Sequence, residues 1–513
     1  MRKLVLVLWI INGIWAQCVV NEDNEMECSK AIDTIQVPSG DLRAVTVVTI
    51  TNSKFKSLNK EVLKPLTSME YVYFIGNNIG DIEPDTFSEF TQIKELLFTQ
   101  NTISRIDFGG ELKTVDLFIF EDNIITNKAT LVGKKLRNVK RLHLGNNDMK
   151  KLDWMQGDFA RLIVLNVPNN RLRTLPSDFS SRVKLLQYLD LQDNLFTSID
   201  NTMFKGLYNL IDLRLANNNI SHIADFAFAD LSNLISLTLR NNSITSITKD
   251  TFKGLHSLES LSLTENRLDD ISKDAFQNVP AIKELHLHEN TITSLEVGTF
   301  RNLNKLVGLD ISNNYNTEWK PGMFKNLQNI IRIKLRRNDV EEIKTGTFVN
   351  LPALELIDIA YNQIKTIQDD AFDTITYLKE LNLMHNEISV WNPKAFKNVE
   401  KIGKINLEGN QVKILQSQAF HNLNIKSIDF KDNLITRIEV DGFEGLDSLE
   451  YLGLSGNNIE ELSQDTFRHL IHLKCIDFIN NKVQRTDLLE QLPKVQFVFT
   501  ESNEKTCLSE ASP

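Results

Sequence analysis

An asparagine that returns about every 24 residues constrains this chain more than any other feature of its sequence. From Asn194 it recurs without a shift in spacing at Asn218, Asn242, Asn266, Asn290, Asn314, Asn338, Asn362, Asn386 and Asn410. Earlier and later copies lie at Asn77, Asn101, Asn123, Asn147, Asn170, Asn433, Asn457 and Asn481, and Ser53 holds the slot in a first, weaker copy. The sequence therefore encodes about 19 units of about 24 residues. Units of this length stack on their neighbours, since one unit cannot bury its own apolar face.

The residues around each asparagine indicate how a unit folds. An alternating segment such as Asp212-Leu213-Arg214-Leu215 precedes it, which predicts a short strand with one face in the core. The asparagine amide can donate and accept hydrogen bonds, so a stacked column of them can satisfy the turn backbone. Ten residues later a phenylalanine recurs, from Phe204 to Phe467, which predicts a stacked aromatic spine in the core.

The pattern L-x-x-L-x-L-x-x-N-x-L resembles the typical leucine-rich repeats of Toll-type receptor ectodomains, chaoptin-like adhesion proteins and insect leucine-rich immune proteins. The resemblance implies an α/β solenoid, a leucine-rich-repeat horseshoe with one parallel concave β-sheet. Cys18 and Cys28, followed by the strand-like residues 45–50, look like the short cap of secreted mosquito leucine-rich immune proteins. The chain has no heptad stretch, so the resemblance implies a member without the coiled coil.

The ends of the chain differ from the repeats. Residues 1–16, in which Arg2 and Lys3 precede an apolar run, predict a signal peptide. We further predict an N-terminal disulfide cap at 17–44, the repeats at 45–481 and a C-terminal cap at 482–513.

The four cysteines, Cys18, Cys28, Cys475 and Cys507, lie near the two ends of the chain. In an oxidising compartment this arrangement indicates disulfides, and a zinc site is disfavoured by the spacing. Of three connectivities, the pairs Cys18–Cys28 and Cys475–Cys507 are favoured because they close the two short loops.

The net charge of −10 argues against nucleic acid as a partner, because phosphate binding needs clustered Lys and Arg. After the first residues no stretch approaches the roughly 18 apolar residues of a membrane span. We therefore expect a secreted protein. The sequence leaves its oligomeric state open.

The strand residues that face away from the core include two candidate binding patches. The first is apolar and aromatic and comprises Tyr71, Tyr73, Ile75, Leu97, Leu117 and Ile119. Either it is an interface, or the N-terminal cap covers it. The second patch is basic and comprises Arg332, Lys334, Arg336 and Arg337. Either it is a row of surface salt bridges with Asp310 and Asp358, or it binds an acidic partner or a sulfated glycan.

Ser262, His286 and Asp310 occupy one slot on three consecutive strands, an order that resembles a catalytic triad. The exposed face of the sheet offers no oxyanion site, so we interpret the three residues as ordinary polar side chains in contact with solvent and predict no enzyme activity. His286 and His288 could bind a metal, but no third soft ligand is expected nearby. We therefore predict no metal site and no cofactor.

Two sequons, at Asn219 and Asn241, predict N-glycosylation on one flank of successive repeats. Together these features predict a secreted recognition protein that binds a protein ligand through the concave surface, in insect innate immunity or extracellular signalling. The alternative is a matrix or adhesion protein that acts through homophilic or bridging contacts.

Overall fold

The computed structural model describes residues 18–483 except 56, 105, 107–111, 127–135, 154, 156–158, 422 and 464, together with 495 and 497–499. The predicted signal peptide and Cys507 lie outside these residues. The chain divides into two compact units, Met1–Asn242 and Ser243–Pro513. The predicted fold class is confirmed, because the strands form a parallel solenoid of about 18 turns.

In the first unit, a two-strand antiparallel hairpin begins the sheet and every later strand joins in parallel. The strands are Cys18–Val20, Glu25–Ser29, Val47–Thr51, Tyr71–Ile75, Glu95–Thr99, Leu117–Ile119, Arg141–His143, Val164–Asn166, Tyr188–Asp190, Asp212–Arg214 and Ser236–Thr238. Ser198–Ile199 and His222–Ile223 form a separate short parallel pair. The described helices of this unit are Lys60–Leu63, the 3₁₀ turn Lys64–Leu66, and Phe179–Arg182.

In the second unit, all strands of the main sheet pair in parallel with their neighbours. They are Ser260–Ser262, Glu284–His286, Gly308–Asp310, Arg332–Lys334, Leu356–Asp358, Tyr377–Asn382, Lys401–Asn406, Ile425–Asp429, Tyr451–Gly453, Cys475–Asp477 and Phe497–Phe499. Three short pairs lie elsewhere: Ser246–Ile247 with Asp270–Ile271, Glu342–Ile343 with Thr366–Ile367, and Ile414–Leu415 with Arg437–Ile438. A 3₁₀ turn spans Pro393–Phe396.

The recurring asparagine has the predicted structural role. Asn218 is buried, and its Oδ1 accepts the backbone N–H of Phe196 from the preceding repeat at 3.1 Å. Its Nδ2 donates to three carbonyl oxygens, those of Leu191, Leu215 and Ala216. The same bonds recur through both units, so each asparagine ties one turn to the turn before it. Ser53 occupies this slot in the first repeat, and its side-chain hydroxyl, in place of an asparagine amide, accepts the backbone N–H of Ala31 at 3.0 Å.

The predicted phenylalanine spine is also confirmed. In the second unit the rings of Phe300, Phe324, Phe348, Phe372 and Phe396 stack in sequence, with centroids 4.9 to 6.3 Å apart. These rings are almost fully buried, and stacked aromatic pairs add to the stability that burial provides. A separate short stack, made by Phe74, Phe98 and Phe120, lies in the first unit. The phenylalanines are therefore core residues.

The cysteines close the described N-terminal hairpin as expected. Cys18 and Cys28 form a disulfide between directly opposed residues of the first two strands. Cys475 is also disulfide-bonded, and its predicted partner, Cys507, lies outside the described residues. None of the helices in the described part of the chain has the length and hydropathy that a membrane span requires.

Candidate functional site

The face of each sheet that is turned away from the core, named here the open face, carries three side chains per strand. They lie six, four and two residues before the recurring asparagine, and the strand register aligns each slot with the same slot of the next repeat. Neighbouring strands lie about 4.8 Å apart, so side chains in one slot form a column along the sheet. Any binding site on the open face is therefore built from adjacent columns.

The apolar patch lies on three consecutive strands of the first unit. Tyr73, Leu97 and Ile119 are Cα partners in the central column, and Tyr71 and Ile75 flank them on the same strand as Tyr73. All five side chains are half-buried. The sequence pattern also predicts Leu117 on this patch. That prediction is wrong, because Leu117 is only 8% exposed.

The cap does not cover this patch. Its strand Glu25–Ser29 pairs edge to edge with Val47–Thr51, which in turn pairs with Tyr71–Ile75. The cap thus extends the sheet by a strand, and the aromatic side chains beyond it keep part of their surface in solvent. The described residues of the cap therefore leave the patch partly exposed.

Polar groups hold the edge of the patch in place. The hydroxyl of Tyr73 donates to Glu95 Oε2 at 3.1 Å, and Arg141 Nη2 lies 3.3 Å from Glu95 Oε1. Burial, followed by the negative charge of Glu95, raises the pKa of Tyr73 to about 12. Lys94 Nζ lies 5.8 Å from the centre of the Tyr71 ring. An ordered aromatic centre beside charged groups is the usual composition of a protein interface.

The basic patch is only partly neutralised. Arg332 Nη2 bonds to Glu284 Oε1 at 2.6 Å, whereas Lys334 forms no salt bridge with any described residue. The guanidinium carbons of Arg336 and Arg337 lie 4.4 and 5.2 Å from the centre of the Tyr361 ring. The patch therefore combines one salt bridge, two arginines stacked on a tyrosine ring and an exposed lysine. The salt-bridge interpretation expected Asp310 and Asp358 to pair with these cations, and among the described residues they do not.

The row of Ser262, His286 and Asp310 is in register, as the sequence predicts. Its hydrogen bonds do not follow the order of a triad. The hydroxyl of Ser262 donates to Thr264 Oγ1 at 3.2 Å, and Asp310 Oδ2 lies 3.6 Å from Nδ1 of His288. Activation of a serine nucleophile requires a bond from the serine to the histidine base, and this geometry does not supply one.

The structure brings a third ligand group to the histidine pair, which the sequence analysis did not expect. His286, His288 and Asp310 each offer one ligand atom, and these atoms lie within 4.8 Å of one another. Burial lowers the pKa of His286, an effect that the nearby Asp310 and Glu284 oppose. The sequence pattern compares residues within one slot or along one strand, whereas His288 and Asp310 lie in neighbouring slots of adjacent strands.

Both sequon asparagines are exposed. Asn219 follows the buried Asn218, and Asn241 precedes the buried Asn242. Asn241 Nδ2 donates to Asn217 Oδ1 at 2.9 Å, so this side chain is ordered by its neighbour in the preceding repeat. Exposure is required for glycosylation, and glycosylation at these positions remains a prediction.

This chain belongs to the leucine-rich-repeat family. The family described as "Leucine rich repeat" matches residues 160–218, 208–268, 256–315, 306–364, 354–412 and 404–459, which together span more than half of the chain.

Among curated proteins, lumican of Coturnix japonica is 27% identical over 210 residues, which are 39% of this chain and 58% of lumican. Fibromodulin of Bos taurus is 26% identical over 176 residues, 29% of this chain and 46% of fibromodulin. The chain thus spans about half the length of these relatives, which are secreted proteins of the extracellular matrix.

Two solved structures share the fold. A leucine-rich-repeat protein of Leptospira interrogans has a TM-score of 0.52 at 21% identity, covering 81% of this chain and 92% of its own. The structure of the Toll–Spätzle complex of Drosophila also gives 0.52, at 15% identity, covering 94% of this chain and 81% of the other. At these identities the likeness concerns the fold alone.

Proposed function

We propose that this chain is a secreted extracellular recognition protein that binds a protein ligand through the open face of its repeat sheet. The column of Tyr73, Leu97 and Ile119 carries this proposal. These side chains are apolar or aromatic, they stand side by side on three strands, and each keeps part of its surface in solvent. Contiguous surfaces of this kind mark interaction sites, and tyrosine is among the residues enriched at their energetic centres.

The family supports a binding role rather than a catalytic one. Its characterised relatives here are non-enzymatic binding proteins, and the Ser262 row lacks the hydrogen bond that a nucleophile needs. The extracellular location rests on the similarity to secreted matrix proteins and on the disulfide between Cys18 and Cys28, a bond that persists in oxidising compartments.

We place the role within insect innate immunity or extracellular signalling. The support is the resemblance of the N-terminal cap to secreted mosquito immune proteins. The solved Toll complex, described as a hub in Drosophila development and innate immunity, shares the fold only.

Capture of a partner tests the proposed function. The tagged mature protein is incubated with body fluid, and bound proteins are identified by mass spectrometry. We expect one extracellular protein to be captured by the wild type and lost by the Tyr71→Ala/Tyr73→Ala variant. A matched control is Ser236→Ala/Thr238→Ala, which alters the same two slots on another strand of the first unit. Capture that is equal for both variants would remove the apolar patch from the proposal.

A matrix or adhesion role is the second candidate, and the similarity to lumican and fibromodulin favours it. This role predicts that copies of the chain associate with each other. Sedimentation of the purified protein over a range of concentrations separates the two. Self-association in the absence of any captured partner would favour adhesion.

A further inference from the structure

We propose that His286, His288 and Asp310 form a binding site for a borderline divalent metal ion, with Zn²⁺ as the expected occupant. One ligand atom from each residue lies within 4.8 Å of the other two. Two imidazoles and one carboxylate are ligands that Zn²⁺ accepts readily, and three protein ligands leave at least one coordination position open.

The backbone fixes the three positions. His286 and Asp310 are Cα partners on adjacent parallel strands, and His288 follows His286 by two residues on the same face. Asn290, which closes this repeat, donates from Nδ2 to the carbonyl oxygen of His288 at 3.3 Å. The ligands are thus carried by a sheet and by a turn that the asparagine column holds in place. A site on such elements is better preorganised than one on mobile loops.

The side chains need only a small contraction to bind an ion. Metal–ligand bonds of about 2.1 Å in a tetrahedral site place neighbouring ligand atoms about 3.4 Å apart. Asp310 Oδ2 and His288 Nδ1 are already separated by 3.6 Å. The rings of His286 and His288 are perpendicular, with centroids 6.2 Å apart, so both nitrogens can be directed at one ion by rotation about the side-chain bonds.

Neighbouring groups orient the ligands. Asp310 Oδ1 accepts the backbone N–H of Ser312 at 3.0 Å, which leaves Oδ2 directed at the histidines. Such an outer contact sets the orientation of a metal ligand and contributes to affinity. Thr264 Oγ1 lies 3.4 Å from Nδ1 of His288, the nitrogen that faces Asp310 Oδ2, so this contact gives way when Nδ1 binds an ion.

The charged residues around the site include a cation that disfavours metal binding and a carboxylate that could favour it. Lys334 is the Cα partner of Asp310 on the next strand and disfavours a cation, but it forms no salt bridge with Asp310. Glu284, two residues before His286, already forms a salt bridge with Arg332. We therefore expect removal of the Lys334 charge to strengthen metal binding, which distinguishes this site from a histidine elsewhere on the surface.

Calorimetric titration with ZnCl₂ tests the proposal on the full mature chain after removal of any histidine tag. The wild type is expected to bind one Zn²⁺ saturably. His286→Ala and Asp310→Asn are each expected to weaken binding by roughly tenfold or more. Asp310→Asn is a mild change, because Asn382 and Asn406 fill the same slot and make the same bond to the backbone N–H two residues later.

The control is His256→Ala, an exposed histidine of the same unit that should leave the affinity unchanged. Lys334→Met should raise the affinity. Circular dichroism confirms that each variant is folded. Absence of saturable binding by the wild type, or equal affinity in the wild type and folded His286→Ala, would overturn the proposal.

Discussion

The guanidinium of Arg332 bonds to the carboxylate of Glu284 across an intervening strand, with 2.6 Å between Nη2 and Oε1. Gly308 is the residue of that strand between them, and both pair with it in the sheet register. A Cβ atom at position 308 would overlap Glu284 Oε2 and would lie 3.1 Å from Arg332 Nη2. The absence of a side chain at Gly308 therefore creates the path for this ion pair.

Gly308→Ala should break the ion pair between Arg332 and Glu284. Because both groups are partly exposed, the expected loss in the free energy of unfolding is about 1 kcal/mol or less. A double-mutant cycle in denaturant measures it. Arg332→Ala should cost less in the Gly308→Ala background than in the wild type, whereas additive losses would contradict the account. Gly80→Ala is the control, since a Cβ there meets nothing within 4 Å.

Asn410→Ala should destabilise the second unit by about 1–3 kcal/mol. The substitution leaves the backbone N–H of Ile388 without its acceptor and frees the carbonyl oxygens of Leu383 and Leu407. Thermal unfolding followed by circular dichroism measures the loss. The adjacent Gln411→Ala is exposed and should change stability by less than about 0.5 kcal/mol. Equal effects at the two positions would mean that the asparagine column does not stabilise the stack.

Asn316→Ile should stabilise the protein. Asn316 is 1% exposed in a slot that Ile292 and Val340 fill in the neighbouring repeats, and its Oδ1 has no hydrogen-bond partner. Removing a buried unpaired acceptor is expected to add about 1 kcal/mol or more. The backbone N–H of residue 316 keeps its bond to Asn338 Oδ1, whereas the bond from Asn316 Nδ2 to the same oxygen is lost. The reciprocal change, Ile292→Asn, should destabilise by at least as much. A lower melting temperature for Asn316→Ile is the contrary result.

Asp429→Asn should stabilise the protein at neutral pH. Burial raises the pKa of the Asp429 carboxyl above its ordinary value of 3.8, an effect that Lys431 only partly offsets. The native state therefore binds this proton more tightly than the unfolded chain, and stability falls as pH rises from 3.8 through the raised pKa. Melting temperatures across pH test this. The melting temperature of the variant should exceed that of the wild type at pH 7, and the difference should shrink towards about pH 3. A difference that grows in acid would contradict the predicted direction.

The parts of the structure that repeat could be predicted from the sequence. The register of Asn218, the inward leucines and the phenylalanine spine all follow from the period, because identical environments require the same residue type in every turn. The open-face columns follow too, since side chains alternate along a strand. These features are sufficient to predict that Tyr73, Leu97 and Ile119 lie side by side.

Features that depend on one side chain could not be predicted in this way. The reach of Arg332 to Glu284 depends on side-chain length and on the missing Cβ of Gly308. The contact between His288 and Asp310 depends on rotamers, which periodicity does not encode. Leu117 was placed on the surface by its slot, yet neighbouring side chains bury it.

The affinity of the captured protein partner for a Leu97→Arg variant tests the central claim most directly. Arginine at this position puts a charge at the centre of the apolar patch, between Tyr73 and Ile119. By surface plasmon resonance, we predict at least a tenfold rise in Kd, about 1.4 kcal/mol, with no change for Thr238→Arg in the same slot on another strand. An unchanged Kd for folded Leu97→Arg would contradict binding through this face.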